Sequence, residues 1–335
     1  MLVVTLYIKD ANQDYHQIHA WLDAMQTDVP HKVVEINIAY DPKLSERFGE
    51  KIPVIQVGPY ILHWPFTEPE LKVSLNAAKD RQQHYTDVED KKYQARLNRG
   101  RTLSGADRFS LWFSKYYMAV ISVLLLIYTG LPFLAPVFMM HNMPGPAKLI
   151  YTIYKPLCHQ LAFRSIFLYG EQWFYPRDLA HVQGLRTYEE ITHQDDADVL
   201  EARKFLGNEQ VGYKVALCQR DIAMYASLFL FALIFLISGR KIKGIPWYIW
   251  IIFGMVPIAI DGFSQLPGIA SSILPAWLPV RESTPVLRFV TGFLFGFTTA
   301  WYLFPMLEET MSDMYEIMKR KAMVVQQLNE SEPTK

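Results

Sequence analysis

Tyr116-Tyr117-Met118-Ala119-Val120-Ile121-Ser122-Val123-Leu124-Leu125-Leu126-Ile127-Tyr128 opens a stretch that runs on to Met140 without one charged side chain. A bilayer's hydrocarbon core takes ~20 helical residues to cross, and this run exceeds that. Pro132 and Pro136 fall in its second half and should kink or end the helix. Three more apolar stretches follow, at 215–238, 245–266 and 286–307. Asp261 interrupts the third and Arg288 sits near the start of the fourth. Trp112, Tyr116, Trp247, Trp250, Trp277, Trp301 and Tyr302 lie near the ends, as interfacial aromatics do. The expectation is an all-α membrane domain of four transmembrane helices within residues 111–307.

Basic residues orient the spans. The segment before the first span is basic, Arg240-Lys241-Lys243 fills the loop after the second, and Lys319-Arg320-Lys321 follows the fourth. With four spans all three fall on one side, which is the cytoplasmic side of a plasma membrane. Both termini are then cytoplasmic, and 141–214 and 268–285 lie outside. The chain begins at Met1 with no basic start, apolar stretch and cleavage site, so no cleavable signal is expected. Lys+Arg and Asp+Glu are each 33 among 335 residues, and this balance argues against nucleic acid as a partner. Two cysteines, Cys158 and Cys218, are too few for a disulfide-framed domain.

Residues 1–80 have soluble composition. Leu2 to Ile8, Val33 to Ile38 and Pro53 to Val57 read as strands. Residues 13–25 read as a helix with Ile18, Trp21, Leu22 and Met25 on one face, and Glu68 to Ala78 as another. Thr5-Leu6-Tyr7, Asp41-Pro42, Arg47-Phe48-Gly49, Ile52-Pro53-Val54 and Pro65-Phe66 resemble a glutaredoxin-like, thioredoxin-fold domain over about residues 1–78. The resemblance implies an α/β fold with Pro53 as a cis-proline facing a Cys-x-x-Cys pair. This chain carries Asn12-Gln13-Asp14-Tyr15 where the pair would stand. Thiol–disulfide exchange needs a thiolate, so a non-catalytic docking module is expected. Residues 81–110 read as a solvated basic linker, and 308–335 as a cytosolic amphipathic helix, loose from Asn329.

The polar residues that lipid disfavours come from separate places in the chain. They are Cys158, His159, Gln160 and Arg164; Cys218, Arg220 and Asp221; Asp261 and Gln265; and Arg281, Glu282, Ser283 and Arg288. With the topology above all fall at the outer end of the bundle. A charge in hydrocarbon costs ~2.5–3.5 kcal/mol on insertion scales, so such groups usually face one another or a wet cavity. Gln160, Arg164, Arg220, Asp261, Gln265, Arg281 and Arg288 are therefore candidate binding residues. Asp261 pairs with Arg288 or Arg281 in one arrangement. Another makes Cys158, His159, Cys218 and Asp221 a tetrahedral metal site. Arg288, Thr291, Gly292 and Gly296 share a helical stripe whose small residues admit a neighbouring helix.

In fixed order, Cys158-His159-Gln160, Arg164-Ser165, Gly170, Cys218-x-Arg220, Asp261-Gly262-x-x-Gln265, Arg281-Glu282-Ser283 and Arg288-x-x-Thr291-Gly292 resemble an uncharacterised family of small multi-pass membrane proteins of bacteria and archaea. That family usually reads Cys-x-Arg-Cys where this chain has Cys218-Gln219-Arg220-Asp221. Three cysteines and a histidine would suit zinc, and here a carboxylate replaces one thiolate. The chain carries an insertion at 171–214, whose Glu189-Glu190 and Asp195-Asp196-x-Asp198 read as a solvated acidic surface.

For Cys158 and Cys218 four readings stand: a disulfide, metal ligands, redox thiols, or small buried residues. Three functions stand for the chain. It is a membrane protein binding a metal or small ligand at its outer face; or an accessory subunit of a larger membrane complex, with the polar cluster purely structural; or a membrane enzyme acting on a lipid or thiol with His159 and Asp221 or Asp261 as acid–base groups. The partners implied are the lipid bilayer and other membrane subunits or a homo-oligomer.

Overall fold

The computed structural model describes residues 2–9, 13–49, 51–87, 99, 101–193, 198–266 and 281–330. Asn12, Lys91, Lys92, Arg96, Asp195, Asp196, Trp277, most of the 268–285 loop and the last five residues lie outside the described residues. The chain divides into two compact units, Met1–Lys115 with Ser312–Lys335, and Tyr116–Met311.

The first unit holds β1 (Leu2–Ile8), α1 (Gln13–Met25), β2 (His31–Asn37), α2 (Pro42–Phe48), β3 (Val54–Val57), β4 (Tyr60–His63) and α3 (Glu68–Asp87). Its mixed sheet runs β2-β1-β3-β4. β1 lies parallel to β2 and antiparallel to β3, which pairs antiparallel with β4. Alternation along β1 buries Val4 and Leu6 against Ile18 and Leu22 of α1 and Leu71 and Leu75 of α3. The Ile52–Pro53 and Trp64–Pro65 peptides are cis. α3 continues nine residues beyond Ala78, so part of the expected linker is helix.

The chain's last helix also completes this unit. Val325 is buried, and Val324 packs on the cluster of Tyr7, Ile36, Ile38 and Phe48. The Gln327 amide accepts from Glu35 N at 3.1 Å and donates to Glu35 O at 3.0 Å, pairing with the outer edge of β2 as a strand would. Unpaired strand edges invite intermolecular pairing, and this contact covers one.

The second unit contains most of α4 (Gly105–Gly130), then α5 (Leu134–Met140), α6 (Pro144–Tyr154), β5 (Ser165–Leu168), α7 (Tyr188–Thr192), α8 (Val199–Lys204), β6 (Gly207–Asn208), β7 (Gly212–Cys218), α9 (Gln219–Ile237), α10 (Trp247–Phe263) and the start of α11 (Pro285–Glu330). Among the described residues three stretches are helical, long and apolar enough to cross a membrane: Gly105–Met140, Gln219–Ile237 and Pro285–Glu330. The first tightens into a 3₁₀ turn at Leu131–Phe133, where Pro132 removes a backbone donor. α10 is shorter and contains a π-helical turn at Ile251–Met255.

Two expectations need correction. The membrane unit is not all-α, because β5, β7 and β6 form an antiparallel three-stranded sheet. The second span does not reach back to Val215, because 212–218 is strand and the helix starts at Gln219. Val215-Ala216-Leu217 is apolar at every position, so its periodicity cannot separate strand from helix. The insertion also builds a core of its own, with Tyr175 and Tyr188 buried against Phe163 and Phe167. Glu189 is not free in solvent; it accepts from Arg177 Nε at 3.3 Å and from Asp178 N at 3.1 Å.

α9 and α11 touch backbone to backbone. A methyl group on Gly292 would lie 2.6 Å from Arg220 O, and one on Gly296 would lie 2.1 Å from Met224 O. The small-residue stripe therefore does what its spacing implied.

Candidate functional site

Two carboxylates organise the polar end of the membrane unit. Asp261, at the end of α10, is 2% exposed. It accepts from Arg220, from Arg281 Nη2 at 3.1 Å and from Ser283 Oγ at 2.9 Å. Glu282 accepts two parallel bonds from Arg164, Nε at 3.0 Å and Nη2 at 3.1 Å, and a third from Arg288. Gln265 joins the two centres: its Nε2 donates to Asp261 O at 2.6 Å, and its Oε1 accepts from Arg288 Nη2 at 3.2 Å. The one-turn spacing of Asp261 and Gln265 makes that bridge possible.

So Arg164, Arg220, Asp261, Gln265, Arg281 and Arg288 meet, from the loop before β5, α9, α10 and α11 with its approach. Arg288 pairs with Glu282, while Asp261 pairs with Arg220 and Arg281. Glu282 and Ser283 were the partners that pair spacing alone did not find; their adjacency to Arg281 was the available signal.

The network's charges do not cancel: four guanidiniums face two carboxylates. They are also layered. The Asp261, Glu282 and Arg288 side chains are 2%, 7% and 2% exposed, while those of Arg164, Arg220 and Arg281 are 33%, 22% and 29% exposed. Arg220 Nε is buried with no hydrogen-bond partner among the described residues. Residues 267–280 contain no Asp or Glu, so they bring no balancing anion.

Gln160 belongs elsewhere. Its backbone adopts φ 53°, its Nε2 donates to Tyr151 O at 2.9 Å, and its carbonyl accepts from Lys214. Lys214, fully buried in β7, is a site that the sequence reading passed over. Its Nζ donates to Gln160 O at 2.7 Å, Arg203 O at 2.8 Å and Ala202 O at 3.5 Å. Three carbonyls match an ammonium's three donors. Burial still pushes its pKa down to about 7 from the ordinary 10.5. A lone charge in Val211-Gly212-Tyr213-Lys214-Val215-Ala216-Leu217 was the signal.

Cys158, Cys218 and Asp221 form a second cluster, their ligand atoms all within 4.8 Å of one another. The β5–β7 register sets Cys218 opposite Ser165, and Cys218 N donates to Cys158 Sγ at 3.3 Å. No bond joins the two sulfurs in the structure. The Cys218 thiol, burial and the Asp221 charge all push the Cys158 pKa up. His159 is exposed and stands outside this group. Two sulfurs and a carboxylate oxygen suit zinc with one position open.

Residues 209–302 match the sequence profile of a family described as "Predicted membrane protein (DUF2085)". An uncharacterized protein of Methanocaldococcus jannaschii is 27% identical over 203 residues, covering 58% of this chain and 94% of that protein. The family match spans Lys214, Cys218 and every carboxylate and arginine of the polar network except Arg164. With three helices apolar enough to cross a bilayer, the chain is thus similar to predicted membrane proteins across its candidate site.

Proposed function

We propose that this chain is a four-crossing plasma-membrane protein, both termini cytoplasmic, whose outer-face arginine site binds a small anionic group. The observation that carries the reading is the layering: two buried carboxylates and the buried Arg288 beneath three partly open guanidiniums, with Arg220 Nε unpartnered among the described residues. A network that only locked helices together would tend toward equal charge, because an unpaired buried charge costs several kcal/mol. α10, at 17 residues, makes the fourth crossing; its ~26 Å sits at the short end of the range for a bilayer. Exposed Lys241 and Lys243 after α9 support the orientation.

The first unit serves as a glutaredoxin-like module that docks cytosolic partners without redox chemistry. Its sheet order and its position before the first span support this, and Cys158 and Cys218 both lie in the other unit.

The test uses purified full-length protein. Inorganic phosphate at roughly ten times its dissociation constant, against chloride at matched ionic strength, should raise the melting midpoint by about 2–4 °C. Arg281→Gln should remove the rise. No rise in the unmodified protein means that the cluster is structural, as in an accessory subunit.

The cysteine cluster supports a second, separate reading, a zinc ion held by Cys158, Cys218 and Asp221. Protein purified under reducing conditions should then carry about one zinc per chain, and Cys158→Ser should lose it. A metal-free protein whose thiols resist labelling until reduced would establish the disulfide instead.

A further inference from the structure

We infer that the anionic group is the phosphate of an anionic phospholipid, held on Arg164, Arg220 and Arg281 with one acyl chain in the groove between α9 and α11. This rests on the reading of the arginine cluster as a ligand site, and names its ligand. The groove is a cavity of about 480 Å³ lined by Ala223, Ala226, Ser227, Leu230, Phe289 and Phe293 among others. Its α9 wall begins at Ile222, two residues on from Arg220, and its α11 wall at Phe289, one residue on from Arg288, so groove and arginines share a depth on different faces of these helices.

Depth and charge both fit this occupant. From Ile222 to Leu230 the groove follows α9 for ~12 Å, and half of a ~30 Å hydrocarbon core is ~15 Å. A chain lying there stays within one leaflet, with its headgroup level with the arginines. The α11 side of the groove is open, since Val290 and Phe293 are both exposed. Guanidinium forks suit phosphate oxygens, which accept two parallel bonds. A soluble anion would use the arginines and leave the groove empty. A neutral lipid would use the groove and leave the excess charge unmet.

Two substitutions separate the parts. Ala226→Phe fills the groove and leaves every arginine in place. Arg281→Gln removes one open guanidinium and leaves the groove. The full chain is reconstituted in nanodiscs of phosphatidylcholine with or without 20 mol% phosphatidylglycerol, and retained lipid is read by native mass spectrometry after mild extraction. Inorganic phosphate is titrated in parallel by thermal shift. Phosphatidylglycerol should be retained about tenfold over phosphatidylcholine, the size of one charge-assisted hydrogen bond. Both variants should lose that preference, and Ala226→Phe should keep its response to phosphate. Equal retention of the two lipids alongside a phosphate response overturns the lipid inference and leaves the anion site standing. Equal retention with no phosphate response overturns both. Undiminished phosphatidylglycerol preference in Ala226→Phe, with an unchanged melting midpoint, removes the groove from the proposal.

Discussion

Gly296→Val is expected to prevent the membrane unit from assembling. The first added carbon would lie 2.1 Å from Met224 O and 2.3 Å from Ser227 Oγ, so α9 and α11 must separate for the residue to fit. The opposing atom is backbone, which cannot rotate away. Overpacking in an ordinary core costs ~1–3 kcal/mol, and a rigid clash at a helix crossing should exceed that. Between membrane helices no hydrophobic force compensates, because lipid is as apolar as protein. Gly130→Ala is the control, since nothing lies within 4 Å of its added carbon. The measurement is the yield of monodisperse protein in mild detergent and its melting midpoint. A Gly296→Val protein that melts with the unmodified chain would mean that the helices do not cross there.

Asp261→Ala should be the most damaging single change in the polar network. Its carboxylate is the partner of Arg220, Arg281 and Ser283, and removal leaves two guanidiniums facing an apolar methyl group. Breaking a buried ion pair from one side costs ~3–5 kcal/mol. Asp261→Asn keeps an acceptor oxygen but loses the charge, so it should fall between Ala and the native residue. Arg186→Ala, which breaks the exposed 2.9 Å pair with Glu171, should cost ~0–1 kcal/mol. Thermal unfolding of the three variants gives the ranking. An Asp261→Ala loss no larger than that of Arg186→Ala would mean that water bathes the network, and the layering would lose its meaning.

The membrane helices were legible because lipid imposes one demand, length without charge, and Tyr116–Met140 meets it without reference to any neighbour. The polar network was legible for the complementary reason: Asp261 and Arg288 interrupt apolar runs, so their meeting follows from solvation alone. The pairing was legible only in part: Arg281 was one of the two partners expected of Asp261, whereas Arg220 was not, and Arg288 reaches Glu282 instead. Which guanidinium reaches Asp261 depends on the helix crossing at Gly292 and Gly296, and composition does not encode that angle. β7 was hidden by its uniform burial, which erases the alternation that marks a strand. Lys214 was hidden because its three partners are backbone carbonyls, groups that every residue carries. The tail's amphipathic pattern was read correctly as a helix, but the surface it covers belongs to this chain's own sheet.

That last contact orders events on the ribosome. The β2 edge waits for Gln327, a residue made 292 positions after Glu35. Throughout translation the nascent N-terminal sheet carries an open flank, so the interval before the C-terminal segment emerges is when a chaperone or a neighbouring nascent chain has access to it.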